Sequence, residues 1–167
     1  LYDELGAANK TRCWWTSQGD LEYAKKGVST MNISPNNAVD SIAYGNYVFS
    51  KGNEPEFGGV SAKDLLADMK KWNEELKKID KRTIFVGPVL GGGGTAQTNY
   101  LKELYELGGT ETKFAFDVFD THLYCKYGDK HVPGLPAAAP EQIFIYINDF
   151  RDIMRQYGDE DKPIIST

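Results

Sequence analysis

The chain reads as an α/β protein built on a parallel sheet, on three observations. Strand-like and helix-like segments alternate along it. The strand-like runs are apolar nearly throughout rather than at every second residue, and each clear helical segment carries one apolar stripe. Strands buried on both faces lose the alternation of half-exposed ones, and the crossover helices of a parallel sheet supply the cover. Length and composition agree: 167 residues, 41% hydrophobic and 26% charged, is ordinary globular usage. The net charge is −5, with no basic block to suggest nucleic acid and no apolar run near the ~18 residues of a membrane span.

The elements follow in order. Thr11 to Trp15 and Tyr47 to Lys51 read as strands, with a short helix from Leu21 to Lys26 between them and a loop around Asn36-Asn37. Ser61 to Asp80 is the clearest helix: Leu65, Met69, Trp72, Leu76 and Ile79 step by 4, 3, 4 and 3, one stripe at the helical period. Ser61 followed by Asp64 suits an N-cap, and Lys77, Lys78 and Lys81 suit the negative C-terminal end. Trp72 falls on the stripe and belongs to the core, whereas Lys70, Lys71, Lys77 and Lys78 read as a solvated face. Arg82 to Leu90 is a β-branched apolar run ended by four glycines, hence a buried strand. A helix through Tyr100, Leu101, Leu104 and Tyr105 closes at Gly108-Gly109. Lys113 to Tyr124 reads as a strand. A Pro- and Ala-rich loop from Val132 to Pro140 leads to a helix striped by Ile143, Ile147, Phe150 and Met154, and Lys162 to Thr167 begins a last strand.

In parallel α/β folds the chemistry collects at the carboxyl ends of the strands. Those ends offer Trp14-Trp15-Thr16-Ser17, then Gly52-Asn53-Glu54-Pro55-Glu56, then Gly91 to Gly94, then Asp120-Thr121-His122-Leu123-Tyr124. A carboxylate, an amide, an imidazole, a phenol and aromatic walls suit a sugar: rings stack on apolar pyranose faces, and the polar groups bond hydroxyls. Trp14 and Trp15 cannot both face inward if strand alternation holds. Glu56 and Asp120 fit substrate contact or structural roles equally. The glycine run lacks the Gly-Lys-Ser/Thr of a phosphate loop, so no nucleotide cofactor is expected. His122, Cys125 and His131 fall short of a zinc set, so no metal is expected either. The two cysteines, Cys13 and Cys125, lie on distant strands and read as free thiols or as partners of residues outside this chain.

Gly52-Asn53-Glu54-Pro55 at a strand end, with His122-x-Tyr124 two strands later, resembles the clan A (β/α)8 glycoside hydrolases. The heparanase-like and xylosidase-like families share the Gly-Asn-Glu-Pro-Glu wording and a glycine-rich element after the next strand. The resemblance covers Thr11 to Thr167 and implies a partial (β/α)8 TIM barrel running from the third strand to the seventh, a single incomplete domain over 1–167. It implies hydrolysis of O-glycosidic bonds with retention on an oligo- or polysaccharide. Retaining hydrolysis uses a protonated acid and an ionised nucleophile ~5–5.5 Å apart. By resemblance Glu54 is the general acid/base, Asn53 holds the sugar 2-hydroxyl, Tyr124 orients the nucleophile, and His122, Trp14 and Trp15 line the substrate site. The nucleophilic Glu is expected just after Thr167. The chain opens on Leu1 and stops inside a strand, while a closed barrel typically takes ~250 residues. The remaining strands are therefore expected in further sequence or another chain, and these 167 residues alone are expected to be inactive.

Two sequons, Asn9-Lys10-Thr11 and Asn32-Ile33-Ser34, mark Asn9 and Asn32 as candidate glycosylation sites and favour a secreted protein. The rival reading is a non-catalytic secreted structural or carbohydrate-binding glycoprotein that kept the barrel and lost the reaction. A third is an α/β binding module in which Asn-Glu-Pro is coincidental.

Overall fold

Five parallel strands stand side by side in the order in which the chain makes them: β1 Arg12–Trp14, β2 Asn46–Phe49, β3 Thr83–Leu90, β4 Val118–Thr121 and β5 Ile164–Ile165. Between them run α1 Leu21–Asn32, α2 Ala62–Ile79, α3 Thr95–Gly108 and α4 Gln142–Gln156. The computed structural model describes residues 12–14, 21–32, 46–50, 53–124 and 141–167. Trp15, Asn9, Cys125, His131 and the loop from Val132 to Pro140 lie outside the described residues; Trp14 ends β1 and Asn32 ends α1. Among the described residues no helix is long and apolar enough to cross a membrane.

The helices gather against one face of the sheet. Val48, Phe85, Leu90 and Phe119 from the strands pack with Leu65, Met69, Trp72, Leu76, Leu101, Leu104, Phe150 and Met154 from the helices in one buried cluster. Trp72 is core, its ring centroid 6.4 Å from that of Phe85. The opposite face holds a second, smaller cluster of Val86, Val89 and Val118, with Ile84 and Ile165 against it. Strict alternation would put Val86 and Val89 on opposite faces; the register shift of β3 against β4 between these two residues puts both inside. The cis Gly87–Pro88 peptide lies within that shift.

Local chemistry explains the helix ends. The Ser61 hydroxyl accepts from the Asp64 amide at 3.1 Å and donates to the Asp64 carboxylate at 2.7 Å, so the expected cap of α2 is present. The helix stops at Asp80, whose carboxylate grips Arg82 through its backbone amide and guanidinium at 2.9–3.0 Å and is held below the usual carboxylate range by that contact.

Four expectations need correcting. The strand expected from Lys113 begins only at Val118, because residues Gly109–Phe114 form a 3₁₀ segment. Other elements hold this stretch: Asn73 donates to Phe114 O at 2.8 Å, and just beyond the segment the Asp117 carboxylate accepts the Phe85 amide at 2.8 Å. Lys77 belongs to this arrangement rather than to a solvated face, since it is half-buried and 2.6 Å from Asp117. The first helix runs past Lys26 to Asn32, with Ala24 and Val28 packed in the core. The last strand is reduced to Ile164–Ile165, the residues that pair with Phe119 and Asp120.

Candidate active site

β3 is the anchor of the site. Beyond β2, Asn53 forms a parallel bridge with Val89, and the Glu54 amide donates to Val89 O at 2.9 Å. From the other side, the amide of His122, just past β4, donates to Leu90 O at 2.8 Å. Two sequence-distant residues are thus pinned to adjacent carbonyls of one strand. Their side chains meet: Glu54 Oε1 lies 2.8 Å from His122 Nδ1. Either an Nδ1–H donates to a carboxylate or a protonated carboxyl donates to Nδ1, so the contact can hold a proton from either partner.

Glu54 sits in the left-handed region at φ 52°, a conformation that costs a non-glycine residue roughly 1–2 kcal/mol. The turn that follows over-determines it, because Phe57 and Gly58 both donate to Glu54 O, at 3.0 and 3.1 Å. Such strain concentrates where function needs a side chain aimed away from the regular direction.

Glu54 opens onto a pocket of about 300 Å³, walled by Phe57, Gly91, Gly92, Gly93, Gly94, Gln97 and Tyr124. Gly91 and Gly93 are required by close approach. A Cβ on Gly91 would stand 2.5 Å from the Phe57 ring and 2.9 Å from the Glu54 carboxyl carbon, and one on Gly93 would stand 2.1 Å from Tyr146. The loop is also held from outside: the Gly91 amide donates to Glu56 Oε1 at 2.6 Å, and the Thr121 hydroxyl donates to Gly92 O at 2.7 Å.

Of the residues expected at the site, Glu54 and Tyr124 line the pocket. His122 is nearly buried and reaches it through Glu54, with its ring edge-on to Tyr124 at 6.1 Å. Asn53 is exposed and lies outside the pocket wall. Asp120 is structural in placement: wholly buried on the inward face two residues before His122, it accepts from the Thr167 hydroxyl at 2.8 Å. Burial pushes its pKa up, against the opposing pull of Thr167 and His122. Glu56 braces the glycine loop rather than the pocket. Among the described residues no cluster of metal-ligating side chains occurs.

Two wall residues escaped the sequence reading. Phe57 is 65% exposed, a large ring left at the pocket mouth. Gln97 is buried, and its spacing carried a signal, for it continues the apolar stripe of Tyr100, Leu101 and Leu104 one turn toward the glycine run. A polar residue on a buried stripe needs a reason. Comparison with protein-family models and with curated proteins finds no match for this chain.

Proposed function

We propose that this chain carries the acid/base half of a retaining glycoside hydrolase site, with Glu54 as general acid and then general base on a β-linked oligosaccharide or glycoside. The observation that carries the reading is the Glu54–His122 pair, a carboxyl held in a strained turn at a strand end, 2.8 Å from an imidazole and open to a glycine-walled pocket. The acid/base group must give its proton to the leaving oxygen and later take one from water. His122 holds the Glu54 oxygen in place and offers the proton a second seat between the two steps.

The order of the strands supports a barrel wall. In a doubly wound sheet the strand order reverses and helices cover both faces; here the order is sequential and one face takes all the helices, as in a (β/α)8 wall. The inner face is apolar beneath the pocket, as barrel interiors are. On this reading the nucleophile comes from outside the described strands. One of the two rings, Trp14 at the end of β1 or its sequence neighbour Trp15, is proposed to stack on the substrate, since both cannot face inward. Asn53 is proposed as a ligand of the sugar 2-hydroxyl that swings inward on binding.

The test is Glu54→Gln in the complete polypeptide. Turnover of substrates with poor leaving groups should fall by about two to four orders of magnitude, the usual worth of general acid/base catalysis. Aryl glycosides with good leaving groups, which need no protonation, should lose far less at the glycosylation step. Unchanged kinetics on both would refute the assignment.

A further inference from the structure

Gln97 is 4% exposed, lines the pocket and has no place in the acid/base chemistry. Its amide direction is decided by a neighbour. Glu56 Oε1 lies 2.9 Å from Gln97 Nε2 and also accepts the Gly91 amide at 2.6 Å. An oxygen that takes a backbone N–H is an acceptor, so the side of the Gln97 amide facing it must be the NH2 group. The reversed amide would set two oxygens against each other.

The consequence falls on the other side of the amide. With Nε2 committed to Glu56, the carbonyl oxygen is what Gln97 offers the pocket. Oε1 lies 3.9 Å from where a Gly92 Cβ would stand, in the glycine wall, and accepts no hydrogen bond among the described residues. An acceptor that the fold leaves without a protein donor, on a buried side chain but open to the pocket, is available to a donor on a ligand. The absence of side chains on Gly91 to Gly94 keeps the approach to it open.

We infer that Gln97 recognises a hydroxyl of the bound sugar through Oε1, and that Glu56 is the positioning residue that presents this acceptor. The inference rests on the hydrolase reading for the kind of ligand, but its test needs no turnover. A fixed acceptor selects a hydroxyl, which donates, and rejects the same position when the hydroxyl is absent.

Binding of methyl β-D-xylopyranoside, methyl β-D-glucopyranoside and their monodeoxy derivatives is measured by NMR titration on the full polypeptide. The wild type should bind one monodeoxy derivative about tenfold more weakly than its parent. Gln97→Ala should weaken the parent about tenfold and become indifferent to that one deoxy position, while keeping the wild-type response at the others. Gln97→Met, which preserves length and removes the acceptor, should do the same if alanine disturbs the fold. Glu56→Ala, which frees the amide to turn, should reduce the discrimination at that position only. An unaltered deoxy profile in the Gln97 variants, a uniform weakening at every position, or no binding of either parent by the wild type would overturn the inference. Glu54→Gln kinetics separate the two readings. If turnover survives that change while the Gln97 pattern holds, the acid/base role of Glu54 fails and sugar recognition stands; if turnover collapses and the pattern is missing, only Gln97 is misassigned.

Discussion

At the scale of the residue, Glu54 concentrates the tension between stability and function. Its left-handed backbone carries a Cβ penalty that glycine would not, while its side chain gains the His122 contact. The two contributions separate in a pair of substitutions. Glu54→Ala keeps the Cβ strain and loses the contact; Glu54→Gly loses both. Glu54→Gly should therefore be the more stable of the two by about 1 kcal/mol, read from urea or thermal melting, although the proposed acid/base role makes both equally impaired in turnover. Equal stability would mean that the turn does not strain this residue. A Glu54→Gly protein as stable as wild type would be the signature of a position retained for chemistry.

At the scale of the element, the four glycines form one loop but do two jobs. Gly93 abuts the Tyr146 ring, part of the core under α4, and Gly91 abuts Phe57 and Glu54 at the pocket. Gly93→Ala must move a wholly buried tyrosine and should cost roughly 1–3 kcal/mol, the usual price of overpacking. Gly91→Ala pushes only on the half-exposed rim, where Phe57 can swing into solvent. It should leave the melting temperature within a few degrees and instead displace the Glu54 carboxyl, which under the proposed acid/base role reduces turnover at least tenfold. Melting curves and kcat on the same pair of variants check the contrast, and the reverse pattern would contradict this division of labour.

At the scale of the whole molecule, a buried polar knot at the far end of the helices ties elements distant in sequence. Tyr105 of α3 donates to Asp159 at 2.5 Å, and Lys162, before β5, reaches Asp159 at 2.8 Å and the Lys113 carbonyl at 2.7 Å. The Lys162 ammonium also lies 4.0 Å from the Phe116 ring centroid. Both ends of the ion pair are nine-tenths buried, and burial pulls the Lys162 pKa down while Asp159 works against it. Arg151 of α4 donates to the Glu160 and Lys162 carbonyls, so α3, the 3₁₀ segment, α4 and β5 share one network. Lys162→Met should destabilise by roughly 3–5 kcal/mol, because it strands a buried carboxylate. Adding Asp159→Asn should recover part of that loss, giving a coupling energy of about 1 kcal/mol or more in a double-mutant cycle. Additive losses would mean that the pair is not coupled.

The fold was largely legible, because the signals were local and strong. The α2 stripe, its Ser61 cap, the apolar run of β3 and the glycine stop of α3 each rest on residues within one or two turns. The strand at Phe114 was misread for the same reason: its apolar residues look like a strand locally. Contacts from other elements shape this stretch: Asn73 reaches the Phe114 carbonyl at the end of the 3₁₀ segment, and Lys77 and the Phe85 amide fix Asp117 just before β4. At the site, Glu54, His122 and Tyr124 were visible as chemistry-bearing types at strand ends. Gln97, Phe57 and the bracing role of Glu56 were not, since an amide's direction depends on what it faces across forty residues of chain.

By itself, then, the sequence determined the alternating parallel architecture and the strand ends at which polar groups gather, because hydrophobic period and capping are properties of neighbours along the chain. Only the tertiary structure decided that Glu54 and His122 meet, that Asn53 stands outside the pocket wall, and that Gln97 turns its carbonyl inward. Those outcomes follow from two hydrogen bonds to adjacent carbonyls of β3 and from one carboxylate oxygen shared between a loop and a helix, geometry that no single stretch of sequence contains.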